Sequence, residues 1–164
     1  MKVLIVGAGR VGRKVARALS PIHEVTVLDL SKEVVDLISF EMDVMAIEGD
    51  GTSVEDLKRA GVEEADCVIA TTPKDNVNMM ICGLAKGLGE GFTVARVKRM
   101  EYLSLMSSGG RILGIDRMVC STPLVARAIV NVLDYPQLRV FTHLYGPLYV
   151  GDAIKNQTKS GVLK

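Results

Sequence analysis

Lys2-Val3-Leu4-Ile5-Val6 runs directly into Gly7-Ala8-Gly9-Arg10-Val11-Gly12, an apolar strand pattern that opens into a G-x-G-x-x-G turn. A helix pattern follows over residues 10–19, and a second apolar run, Val25-Thr26-Val27-Leu28, ends on Asp29. Strand, glycine turn, helix, strand and an acid about 20 residues past the glycines form the fingerprint of a dinucleotide-binding βαβ unit. A lone G-x-G-x-x-G is weak because glycines are common at turns, but the ordered series is far more specific. It predicts an adenosine-containing ligand and leaves open whether that ligand is a substrate, a coenzyme or a signal.

Each position has a physical reason. Gly7 permits the tight strand-to-helix turn, Gly9 lets backbone approach a pyrophosphate, and Gly12 lets the first helix lie close to the sheet. The free N–H groups and positive dipole end of that helix, in the turn that carries Ala8, Arg10 and Val11, face the phosphates. Arg10 can add charge-assisted bonds. Asp29, followed by Leu30, can accept from both ribose hydroxyls and would repel a 2′-phosphate, which favours NAD over NADP. Lys32 offsets part of that repulsion.

Composition narrows the class. The chain has 164 residues, 48% of them hydrophobic, enough for one domain with a core, and a formal charge of +1. Basic and acidic residues are interspersed, so no basic block points to nucleic acid. Cys67, Cys82 and Cys120 are odd in number, widely spaced and set among apolar residues, which reads as buried thiols in a reducing compartment. With no C-x-x-C and only His23 and His143, a metal site is not expected. No apolar stretch approaches the ~18 residues of a membrane span, and the N-terminal apolar run ends at a glycine, unlike a signal peptide.

The rest of the chain alternates. Strands are predicted at residues 3–6, 24–28 and 44–47, within 65–70, and at 92–97 and 117–120. Helices are predicted at 10–19, 32–40, 53–59, 75–86 and 101–107, with a further one from Thr122-Pro123 through 132. Ser31 and Ser53 are candidate N-caps, and Gly87 and Gly89 end the fourth helix. Such alternation implies an α/β fold, a Rossmann-like, doubly wound, parallel six-stranded sheet with a short C-terminal appendage. Residues 1–133 form the nucleotide-binding domain. Residues 134–164, with two short strand patterns at 138–144 and 148–150, read as a dimerisation arm or the stub of a second domain.

Ligands of open α/β sheets lie beyond the carboxyl ends of the strands. That places Asp50 after the third strand, where it can accept from an adenine amino group or simply make an Asp-Gly turn with Gly51. Thr71 and Thr72 follow the fourth strand and can reach a phosphate or ribose, or cap the next helix. Arg96 lies near the end of the fifth strand and can bind phosphate. The chemistry of a dehydrogenase is not legible. His23 falls at the wrong edge of the sheet, and there is no Tyr-x-x-x-Lys pair and no Ser-His-Asp or Cys nucleophile set. The residues therefore argue for binding without catalysis.

Several segments together resemble the nucleotide-binding N-terminal domain of Trk-type potassium-uptake regulatory subunits, the KTN/RCK domains. They are Val3 to Gly12 (VLIVGAGRVG), Gly49 to Thr52 (GDGT, close to GDAT), Ala70-Thr71-Thr72, Asp75 to Asn78 (DNVN, like DEVN), Ala95-Arg96-Val97, and Gly114 to Val119 (GIDRMV, like GADRVV). The resemblance covers about residues 1–133. After the sixth strand, Cys120-Ser121-Thr122-Pro123 departs from the family's usual Ser-Pro-Glu.

The resemblance implies a cytoplasmic regulatory subunit, not an enzyme, that binds NAD(H), or alternatively ATP or ADP. It would gate a membrane potassium channel or transporter, at the inner face of the plasma membrane through that partner. Homodimers assembling into larger rings are implied, with no nucleic acid and no direct membrane insertion. It further implies that Gly7 to Val11 hold the phosphates, Asp29 the ribose and Asp50 and Gly51 the adenine. Thr71 and Thr72 would lie near the phosphates or second ribose, with Arg96 as a cation. The alternative is a small NAD-dependent oxidoreductase, or a redox sensor for a non-channel partner.

Overall fold

The computed structural model describes residues 1–108 and 112–120, which lie within one compact unit, Met1–Cys120. Six strands form a single sheet: β1 (Lys2–Val6), β2 (Glu24–Asp29), β3 (Met45–Glu48), β4 (Cys67–Ala70), β5 (Phe92–Val97) and β6 (Arg117–Cys120). Their spatial order is β3-β2-β1-β4-β5-β6, and every neighbouring pair is parallel. This is the predicted doubly wound, Rossmann-like sheet. The order reverses between β1 and β4, so the crevice beyond their carboxyl ends is the topological switch point.

Five helices connect the strands: α1 (Arg10–Leu19), α2 (Lys32–Glu41), α3 (Val54–Arg59), α4 (Asp75–Leu88) and α5 (Met100–Ser107). β1 is buried on both faces because it is central, and alternate residues feed two cores. Leu4 and Val6 join Leu28, Leu57, Val68, Ile81 and Val97 on one side of the sheet. Val3 and Ile5 join Val25, Val27, Ala16 and Ile38 on the other. Caps set two helix starts as expected: Ser31 Oγ accepts from Val34 N at 3.4 Å and Ser53 Oγ from Asp56 N at 3.3 Å.

Where expectation and structure differ, the reasons are local. Within the expected 65–70 stretch β4 occupies Cys67–Ala70, since Ala65 closes a 3-10 turn over Val62–Glu64 by donating to the Val62 carbonyl. That turn has no signal in the apolar pattern. β3 runs one residue later than predicted, as Gly49 N bonds back to the Asp29 carbonyl at 2.9 Å. Gly87 lies inside α4 instead of ending it, and Gly89 is the C-cap. No described helix is long and apolar enough to cross a membrane. The expected helix at 122–132, the strand patterns at 138–144 and 148–150, and the boundary at 133 lie outside the described residues.

Candidate functional site

The glycine turn is built by steric exclusion. Gly7 has φ +94°, and a Cβ there would sit 2.8 Å from the Thr72 nitrogen. A Cβ on Gly12 would collide with the Gly7 carbonyl oxygen and come within 2.7 Å of Thr71 Oγ1. Gly9 differs: a Cβ there would meet no heavy atom of the described residues within 4 Å. Gly7 and Gly12 are thus required by the protein's own packing. Gly9 borders open space, where a ligand phosphate can approach the backbone.

The start of α1 faces that space. Gly9 caps the helix with no side-chain acceptor, and the first intrahelical bond runs from Arg13 N to the Gly9 carbonyl at 3.0 Å. The N–H groups of Arg10, Val11 and Gly12 precede it, so no earlier turn of helix supplies their acceptors. They form a positively polarised helix end suited to an anion. Arg10 is exposed beside them, and it forms no salt bridge among the described residues.

Asp29 closes the other side of the turn. Its Oδ2 accepts from Ala8 N at 2.6 Å, and its Oδ1 accepts from Ser31 N at 2.9 Å. The carboxylate is half-buried, and each oxygen retains lone-pair capacity for a further donor such as a ribose hydroxyl. Ala8 is 1% exposed, whereas Leu30 beside Asp29 is 70% exposed and Val11 37%. The apolar Leu30 and Val11 therefore stand at the surface of the two site loops.

Asp50 belongs to the turn it starts. Its Oδ1 accepts from the Thr52 amide and hydroxyl, each at 2.8 Å. The Thr52 amide, then its hydroxyl, hold the carboxyl below the usual carboxylate range. Gly51 is buried where any Cβ would strike Val6 and Ile81, so its glycine identity is a packing requirement at the strand ends.

The two threonines part company. Thr71 is buried, and its hydroxyl donates to the Gly7 carbonyl at 2.6 Å, bracing the glycine turn from β4. Thr72 points to α4: its amide and hydroxyl both donate to Asn78 Oδ1, at 2.8 and 2.7 Å. Lys74 occupies the N-cap position of α4 and makes no side-chain cap. Arg96 is half-buried, donates through Nη1 to the Thr72 carbonyl at 3.3 Å, and has a buried Nε with no acceptor among the described residues.

Two residues of this region are not among the expected site residues. Asn78 is fully buried and bonds to both Thr72 and Arg96. Asp75 Oδ2 accepts from Lys98 N and Arg99 N at 2.9 and 3.0 Å, tying the exit of β5 to the start of α4. A signal for Asn78 exists in the sequence: it stands three, four and seven residues before Ile81, Cys82 and Ala85, on the apolar stripe of α4.

The thiols have no place in this arrangement. Burial pushes the Cys82 thiol up to about 12, and burial likewise raises Cys67. Among the described residues no group of His, Cys, Asp and Glu could hold a metal ion.

A family profile described as the TrkA-N domain matches residues 3–121. The chain belongs to the TrkA-N domain family. It is 34% identical over 143 residues to the Trk system potassium uptake protein trkA homolog 1 of Methanosarcina mazei, covering 83% of this chain and 35% of that protein. The chain spans about a third of the length of the curated relatives it matches. Among solved structures, the TrkA-N domain of inner membrane protein ybaL from Escherichia coli aligns with a TM-score of 0.71 at 23% identity, covering 80% of this chain and 96% of that one. The GsuK channel bound to NAD aligns with a TM-score of 0.61 at 22% identity, covering 72% of this chain and 21% of that one. At those identities the likeness is one of fold. Every expected site residue, and Asn78 with them, falls inside the matched TrkA-N span.

Proposed function

We propose that this TrkA-N domain is the nucleotide-sensing part of a regulatory protein of potassium uptake. The observation that carries the proposal is the seating of Asp29: a half-buried carboxylate 2.6 Å from the Ala8 amide, beside a helix start whose flank at Gly9 is open. An adenosine ribose on Asp29 places the attached phosphates against Gly7 to Gly12. Arg10 and Arg96 supply cations, and Thr72 and the Asp50–Gly51 turn border the ligand. Leu30 and Val11 offer apolar surface to the adenine. Thr71 acts by bracing the turn.

NAD(H) is the first candidate ligand and ATP or ADP the second, since all present ribose and phosphate to the same groups. The domain binds without turning its ligand over. In this reading two ligand states favour different arrangements of paired domains, and those domains act on a membrane potassium channel or transporter from the cytoplasmic side. Only differential affinity can drive such a shift; a tenfold preference amounts to about 1.4 kcal/mol per site, and assembly into a ring multiplies it.

Calorimetric titration of the chain with NAD, NADH, ATP and ADP tests the reading, with Asp29→Ala run in parallel. The expected result is unequal binding among the four, weakened about tenfold or more in the variant. Equal or absent binding, or consumption of the nicotinamide, would overturn it.

A further inference from the structure

Asn78 makes the largest set of side-chain hydrogen bonds near the candidate site. It is fully buried in the first turn of α4. Oδ1 accepts from the Thr72 amide at 2.8 Å and from the Thr72 hydroxyl at 2.7 Å. Nδ2 donates to the Thr72 carbonyl at 3.0 Å and to the Arg96 carbonyl at 2.8 Å. Two acceptances and two donations saturate a primary amide, and all of them go to two residues that leave the ends of β4 and β5. The pattern also fixes the amide's orientation, since a flipped amide would set its NH2 against the Thr72 N–H.

The arginine on which this clamp acts is underused. Its guanidinium has five donors. Among the described residues, Nη1 makes one long bond, 3.3 Å, to the same Thr72 carbonyl that Asn78 holds, and the buried Nε has no acceptor. Its remaining Nη donors are the ones an incoming oxyanion would engage, since the Nε is closed off from the surface. The Thr72 carbonyl is therefore a shared pivot: Asn78 sets its position, and the guanidinium follows it.

We propose that Asn78 is a positioning residue of the nucleotide site, holding the Thr72 loop and the Arg96 guanidinium in the one arrangement that receives a phosphate. The proposal rests on the nucleotide reading above and adds a division of labour. Asp29, on the β1–β2 side, holds the ribose, whereas the Asn78 clamp sets affinity for the phosphate end alone. Loss of Asn78 leaves Thr72 and Arg96 in place chemically and removes only their registration.

The test compares ADP with adenosine by calorimetry on the full chain, for the wild type, Asn78→Ala and Asn78→Ser. Serine is the second variant because its small hydroxyl keeps one polar group in the buried site. The expected result is a roughly tenfold loss of ADP affinity with adenosine affinity within about twofold, a change of about 1.4 kcal/mol confined to the phosphate-dependent part. Faster hydrogen exchange at the Thr72 amide should accompany it. A lowered Tm with an unchanged ADP-to-adenosine ratio would mean a merely structural residue and overturn the proposal. Failure of both variants to fold would do the same. A wild-type chain that binds neither compound, and neither NAD nor NADH, would instead overturn the nucleotide reading, and this proposal with it.

Discussion

The β1–α1–β2 half of the site and the β4–α4–β5 half perform similar work by different means. In the first half, Asp29 ties the two loops together, but the turn itself is set by side chains that are missing. Gly7 and Gly12 leave room that the Thr72 backbone and the Gly7 carbonyl occupy. In the second half, geometry is set by hydrogen-bonded polar side chains. Asn78 saturates its amide between Thr72 and Arg96 at the carboxyl ends of the strands. At the opposite ends, Asp116 Oδ2 accepts from Thr93 N at 2.7 Å and meets Lys86 Nζ at 2.7 Å. A steric device fails abruptly and ignores pH. A hydrogen-bonded device fails by degrees and, where a carboxylate is involved, titrates.

The largest effect separating the two is expected at Gly12. In Gly12→Ala the new methyl meets a backbone carbonyl that is itself held by Thr71, so the neighbour cannot yield without moving β1 or β4. Overpacking of this kind costs about 3 kcal/mol, despite alanine's better helix propensity. Urea unfolding should show that loss as a lower midpoint with an unchanged slope. A variant as stable as the wild type would show that the turn is compliant, and the contrast between the halves would collapse.

That difference also decides how much of each half is legible in the amino-acid sequence. Steric devices leave letters: the glycines of the turn and Asp29 stand at spacings that few other folds demand, and the strand, glycine turn and helix form where those letters place them. All six strands and the five described helices are legible from apolar runs, caps and turn residues taken together. The bonds of the second half leave weaker traces. Asn78 is a common residue at an ordinary helical position, and only its place on an apolar stripe marks it. Thr71 reads as a ligand group or a cap for the next helix, since sequence cannot tell that its hydroxyl turns inward to Gly7. Asp50 reads equally as turn or ligand residue until the Thr52 bonds are seen. The 3-10 turn over Val62–Glu64 has no periodicity to announce it.

The second half should carry the pH dependence. Burial pushes the Asp116 carboxyl up, but the bonds from Lys86 and Thr93 outweigh it and hold the carboxyl below its ordinary value. Since the folded pKa is lowered, the stabilisation is full above the unfolded value of about 3.9 and fades as pH falls through the folded one. Asp116→Asn should therefore be less stable than the wild type by about 1 kcal/mol at neutral pH, since it loses the ion pair with Lys86 and keeps an oxygen for Thr93. The two stability curves should converge in acid, below the ordinary carboxylate range. Parallel curves down to the lowest pH at which both fold would mean that Asp116 contributes through shape and not charge.

The smallest effect on stability, and the sharpest on meaning, is expected at Gly9. It shares the turn with Gly7 and Gly12, but a methyl there would touch nothing among the described residues within 4 Å. Gly9→Ala should change unfolding free energy by no more than about 0.5 kcal/mol, as for substitutions clear of packed features. The space it fills is the approach to the Arg10, Val11 and Gly12 amides, so ADP affinity should fall about tenfold while adenosine, lacking phosphate, binds as before. Melting curves and paired titrations separate the two quantities. Stability without phosphate affinity would show that one glycine of the three answers to the ligand and the other two to the fold. Intact affinity would mean that the phosphates lie elsewhere, and the helix start would lose its role in the site.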